Sequence, residues 1–124
     1  MTEPLALLVY ERLLPGSQLL NRLEDLHYRV QTLSEPAQMT ELAAREKPML
    51  ALMDMVAKNQ DAGAAITRLR NTPETRHIPV IAIVPAGDSA LEKEARVAGA
   101  TLVANDQAIL IHLAPLLDQA LQVD

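Results

Sequence analysis

Asp54 ends an apolar run, Pro48-Met49-Leu50-Ala51-Leu52-Met53, and a carboxylate there is better placed to do chemistry than any other side chain. A continuous apolar run of this length suits a parallel strand buried on both faces. A side chain at its C-terminal end points into the crevice where open α/β sheets take their ligands. That is where an aspartate belongs if it accepts a phosphoryl group. Other candidate chemistries are thin. His27, His77 and His112 share no ligand spacing and read as ordinary turn or surface histidines. With no cysteine there is no disulfide, no thiolate metal site and no thiol nucleophile. Met49, Met53 and Met55 read as core filling around the same strand rather than as a thioether site.

The elements that must position Asp54 follow from the hydrophobic pattern, in which strand-type runs alternate five times with helical periods. Leu5 to Tyr10 is the first strand. A Pro15-Gly16-Ser17 turn follows, with Ser17 as N-cap of a helix carrying Leu19, Leu20, Leu23 and Leu26. Tyr28 to Leu33 is a weaker, edge-like strand, and Ser34 with Pro36 opens a helix running to about Glu46. Met49 to Met53 is the third strand; a loop through Lys58 and Asn59 leads to Asp61, which caps a helix holding Ile66 and Leu69. Asn71 and Pro73 end that helix. Val80 to Val84 is the fourth strand, and Ser89-Ala90-Leu91-Glu92 forms a capping box for a helix closed by Gly99. Thr101 to Ala104 is a short fifth strand, before a last helix through Leu116, Leu117, Ala120 and Leu121. Strict alternation means a parallel sheet covered on both faces, with all strand C-termini on one edge. Tyr10, Glu11, Asp54, Val84 and the stretch Ala104 to Asp106 converge on that edge.

Composition narrows the partners. The 124 residues form one domain, 1–124, with 49% hydrophobic residues that are nearly all aliphatic: no Phe, no Trp, and only Tyr10 and Tyr28. Scarce aromatics argue against single-stranded nucleic acid, which is bound by stacking. A net charge of −5 without a basic run argues against duplex DNA and anionic membranes. No run approaches the ~20 apolar residues of a membrane span, and no secretory leader is visible, so a cytoplasmic location is expected.

In these elements the chain resembles a response-regulator receiver domain over essentially its whole length. Pro48 to Asp54 looks like the family's third strand ending in the phosphoacceptor. Asp61 to Arg70 and Asn71-Thr72-Pro73-Glu74-Thr75-Arg76-His77-Ile78-Pro79-Val80 look like its third helix and the loop after it. Ala98-Gly99-Ala100 looks like the turn before strand five. The resemblance implies a flavodoxin-like (βα)₅ three-layer sandwich whose five-stranded parallel sheet has the order 2-1-3-4-5.

The same resemblance shows a degenerate site. The family's acidic pair, which helps the phosphoacceptor to hold Mg²⁺, falls on Tyr10 and Glu11. Its Ser/Thr after strand four falls on Val84, which cannot hydrogen-bond. Its Lys after strand five falls on Asp106, and the Pro after that Lys is Gln107, so the cis peptide of that motif is not carried over. The aromatic that works with the Ser/Thr as a switch falls on Val103. Phosphoryl transfer rests on positioning and electrostatics. Exchanging a Lys for an Asp turns attraction into repulsion, at about 4 kcal/mol per unit interaction for ~4 Å and an effective dielectric of ~20.

Two readings of Asp54 stay open. In one it is an unmodified carboxylate in a pseudo-receiver; in the other it is phosphorylated, with Glu11 as the remaining Mg²⁺ ligand. Arg12 or Lys58 can pair with Asp54 and mimic a neutralised site. Glu11, Asp54 and Asp106 can form a weak, adventitious cation site. Glu92-Lys93-Glu94 and Arg68/Arg70 read as solvated helix faces. Ile109, Leu110 and Ile111 cannot all face the core from one short segment, and Pro115 fits only a first turn or a kink. They are the interface candidates, on the face of fourth helix, fifth strand and fifth helix that receivers use for docking and dimerisation. The expected function is a stand-alone, phosphorylation-independent interaction module of two-component or phosphorelay signalling. It is not an enzyme, it takes no cofactor, and its partner is a histidine kinase or another signalling protein. A genuine regulator with a reduced Mg²⁺ site is the alternative. A flavodoxin-like small-molecule binder ranks last, because Glu11-Arg12-Leu13-Leu14-Pro15-Gly16 lacks the glycine pattern of a phosphate loop.

Overall fold

Ten consecutive-in-strand side chains with no exposed member, Leu50–Asp54 (β3) and Val80–Val84 (β4), form the centre of the molecule. In the computed structural model, which describes residues 4–10, 13–56 and 62–122, they pair in parallel with each other. Leu5–Val9 (β1) lies beside β3, Arg29–Leu33 (β2) forms one edge and Leu102–Asn105 (β5) the other, in the order 2-1-3-4-5. The largely exposed pattern of β2, with no buried residue, suits its edge place.

Pleating sends neighbouring side chains to opposite faces. On one face Leu7, Val9, Ala51, Met53, Ala82 and Val84 meet Met39–Glu46 (α2), Ala62–Asn71 (α3) and Ser89–Ala98 (α4). On the other, Ala6, Leu8, Leu50, Leu52, Ile81 and Ile83 meet Leu13–Asp25 (α1), Asp106–Ile111 (α5) and Leu113–Gln122 (α6). The result is the three-layer α/β sandwich of flavodoxin-like topology that the sequence predicts.

Several boundaries move for physical reasons. Pro15, Gly16 and Ser17 lie inside α1 rather than in a turn before it, so Ser17 is not its cap. Proline is tolerated there because the first turn of a helix has no intrahelical partner for its N–H groups. Pro36–Gln38 is a separate 3₁₀ turn ahead of α2. Asp88, not Ser89, caps α4, its carboxylate accepting from the Leu91 N–H at 3.0 Å. Met49 lies outside β3 and is 49% exposed, so of the three methionines around that strand Met53 and Met55 fill the core. The proposed cap at Asp61 lies outside the described residues.

Arg70 departs most from expectation. It is not a solvated helix cation but a half-buried brace at the N-terminal edge of the sheet. Its guanidinium donates to the carbonyls of Gly99 (2.8 Å), Arg76 (2.8 Å) and Ile78 (2.6 Å) and to Thr101 Oγ1 (2.7 Å). Thr101 Oγ1 in turn accepts from the Val80 N–H at 3.0 Å. One side chain therefore ties the end of α3 to the starts of β4 and β5. Burial lowers its pKa, from a value so high that the charge persists. Gly99 ends α4 at φ +113°, and a Cβ there would lie 2.9 Å from Arg70 Cγ, so conformation and contact both require glycine.

Replacing Arg70 by Lys keeps the charge but loses the planar fork. Urea unfolding of Arg70→Lys should show a lower midpoint with an unchanged slope, corresponding to about 2–3 kcal/mol of lost stability.

Candidate functional site

The C-terminal edge of the sheet holds the candidate residues, each placed by its strand. Asp54 ends β3 opposite Ile83, and the ladder continues one step further as the Met55 N–H donates to the Ile83 carbonyl at 2.9 Å. Its side chain is only 2% exposed. Oδ1 accepts the Val56 N–H at 3.1 Å, which turns the chain as it leaves the strand. Among the described residues no buried side-chain oxygen or nitrogen lacks a hydrogen-bond partner. The carboxylate is built into the strand end rather than standing open in a cleft. Glu11, Arg12 and Lys58, the residues considered as its metal co-ligand or its ion-pair partners, lie outside the described residues.

Tyr10 follows β1, its N–H donating to the Leu33 carbonyl at 2.9 Å. Its ring lies directly on the backbone of α1: a Cβ built at Gly16 would land inside the ring. The ring also packs with the core on the α1 side of the sheet. The edge here carries an aromatic that clamps β1 to the first turns of α1.

Val84 ends β4 and is buried in the core on the α4 side, and Val103 packs against that same core. Both offer only aliphatic surface, so neither can hydrogen-bond to a phosphoryl group. On the far side, Val84 pairs in register with Asn105.

Asn105 is the residue that sequence reasoning missed. Its side-chain oxygen accepts from the N–H groups of Gln107 (3.0 Å) and Ala108 (2.7 Å), capping α5 as soon as β5 ends. Asp106 becomes the first residue of that helix, where an acid interacts favourably with the helix dipole by about 0.3–1 kcal/mol. The Asn-Asp pair before Gln-Ala-Ile-Leu was a readable cap signal. A carboxylate at this place is thus explained by the helix it starts.

Among the described residues no group of three His, Cys, Asp or Glu side chains is placed to hold a metal.

The interface candidates separate. Ile109 is fully buried in the core beneath α1, whereas Ile111 is 72% exposed. Leu110 and Ile111 line a groove against the end of α1, so they do not belong to the α4 side as expected. The α4–β5–α5 side has its own groove of about 410 Å³, bounded by Pro85, Glu92, Val103, Ala108, His112 and Leu116.

The Tyr10 clamp makes a sign-changing prediction. Gly16→Ala in a helix would ordinarily stabilise by up to about 1 kcal/mol. Here it should destabilise, and become stabilising only when Tyr10→Ala removes the ring. A double-mutant cycle by urea unfolding should give a coupling of about 1–3 kcal/mol.

At the level of sequence, no family model and no curated protein matches the chain. Solved structures do. The receiver domain of the sensor histidine kinase PA1611 from Pseudomonas aeruginosa PAO1, with magnesium coordinated in its active-site cleft, superposes with a TM-score of 0.88 at 21% identity, over 98% of this chain and 99% of that one. The signal receiver domain of an HD-domain-containing protein from Pseudomonas fluorescens Pf-5 gives 0.84 at 20% identity, over 98% and 89%. The chemotaxis protein CheY4 of Vibrio cholerae gives 0.83 at 14% identity, over 95% and 98%. The fold of this chain is that of the response-regulator receiver domains.

Proposed function

We propose that the chain is a pseudo-receiver, an interaction module of two-component or phosphorelay signalling that works without phosphorylation and is not an enzyme. The observation that carries this reading is the end of β5. Where a receiver needs a cation against the phosphoryl group, Asn105 and Asp106 start a helix and present a carboxylate. Two further features support it: the burial of Asp54 and the lack of any hydrogen-bonding group on Val84. A phosphoryl group on Asp54 would bring its charge to an edge where the cation is replaced by an acid, without the electrostatic help on which such transfer depends.

Signalling then has to pass through binding alone. The 410 Å³ groove between the start of α4, β5 and the α5–α6 segment is the surface for it, with small aliphatic walls and Glu92 on its rim. Its volume falls in the range of about 300–1,000 Å³ typical of built pockets. A protein partner such as a histidine kinase would seat an apolar side chain there.

The alternative is a genuine regulator phosphorylated on Asp54 with a reduced Mg²⁺ site, and it draws on the aspartate kept at the end of β3. Intact-protein mass after incubation with acetyl phosphate and Mg²⁺, beside Asp54→Ala, separates the two. No adduct is expected on either protein when circular dichroism shows both folded. A phosphoryl adduct on the parent alone would establish the alternative.

A further inference from the structure

We infer that the groove between the end of α1 and the α5–α6 junction is the contact surface of a two-fold dimer, its occupant a second copy of this chain. Arg22, Asp25 and Leu26 form one wall; Leu110, Ile111 and Pro115 belong to the other. At about 240 Å³ the groove is smaller than the ~300 Å³ at which small-molecule pockets begin. Two large apolar side chains stand exposed at it, Leu26 and Ile111, which in a water-facing surface marks a protein contact.

The charges identify the partner. Arg22 and Asp25 are opposite in sign, three residues apart on α1, and line the same groove, yet neither makes an ion pair or side-chain hydrogen bond among the described residues. A two-fold contact sets each residue against its counterpart's neighbour. Arg22 of one copy then faces Asp25 of the other, twice, while each projecting Ile111 enters the groove of its partner. The surface is complementary to itself in charge and in shape. Each copy carries a net charge of −5, so the copies repel except where such cross-pairs meet. The inference goes beyond the proposed function, because the 410 Å³ groove has a different lining, sharing only Pro115, and is left for another protein.

Sedimentation equilibrium of the full chain over a wide concentration range tests this. The mass should rise from 13.5 kDa toward twice that value. Ile111→Asp should weaken dimerisation about tenfold or more, as for a central apolar anchor. Arg22→Asp and Asp25→Arg should each weaken it, and the double exchange should restore it, a recovery that general surface damage cannot mimic. Val97→Asp, at a 79% exposed site on α4, should change nothing. A monomer at every concentration overturns the inference. So does a dimer insensitive to Ile111→Asp, a double exchange without recovery, or a dimer broken by Val97→Asp. A monomer whose Ile111→Asp variant loses binding to a histidine kinase would assign the groove to a different protein. None of these outcomes depends on whether Asp54 accepts phosphate.

Discussion

Everything in this fold follows from two strands that have no side facing water. All ten residues of β3 and β4 are buried, so both faces of the sheet must be covered, and six helices among the described residues divide three and three to do it. Burial of this kind is the main favourable term in folding, at about 25 cal/mol per Å² of apolar surface. It also removes the faces as places for chemistry. Polar side chains can gather only where the strands end, and parallel pairing puts the ends of all five together. The N-terminal edge is closed by Arg70, whose guanidinium binds three carbonyls and a threonine hydroxyl. The C-terminal edge is left to carry whatever function the strands deliver.

At that edge, each of the candidate residues has a structural use. The Tyr10 ring holds β1 on α1, and Gly16 exists to let it in. Val84 completes the core on the α4 side. Asn105 caps a helix, and Asp106 occupies the turn in which an acid is favoured. These are local gains of about one kcal/mol each, the scale of caps and dipole effects. Keeping a cation and a hydroxyl at the same positions would forgo them. The Asp54 carboxylate is buried and turns its own strand end through the Val56 N–H.

How much of this was legible in the sequence depends on whether the deciding contact is local. Val80 to Val84 was read to the residue, because an unbroken apolar run between turn signals is its own evidence. Gly99 was read as a helix end because the left-handed conformation favours glycine, and β2 as an edge because its pattern is half polar. The failures are long-range. Pro15-Gly16-Ser17 carries every mark of a turn, and only the ring of Tyr10 explains a glycine inside α1. Arg70 looks like any cation on a helix until Gly99 and Thr101, some thirty residues on, supply its acceptors. At α4 two competent caps stood side by side, and the choice of Asp88 over Ser89 is a matter of one backbone step. The structural uses of Tyr10, Val84 and Asp106 were not legible, because each depends on contacts with other elements.

The kink between α5 and α6 joins the fold to its surfaces. Ile109, Leu113, Leu117 and Ala120 are buried in one continuous stripe, as they would be on a single straight helix. Pro115 prevents that helix. It has no N–H to offer the Ile111 carbonyl four residues back, and its ring would strike that carbonyl. The chain therefore breaks at His112, whose N–H still reaches the Ala108 carbonyl at 2.8 Å and whose carbonyl accepts from Leu116 at 3.1 Å. The break leaves a hollow on each side, and Pro115 lines both. One opens toward α4 with small walls, because Val103, Ala104 and Ala108 fill so little of it. The other opens toward α1, where Ile111 projects into water beside Arg22 and Asp25. A single proline thus gives the molecule two hollows on opposite sides of one segment.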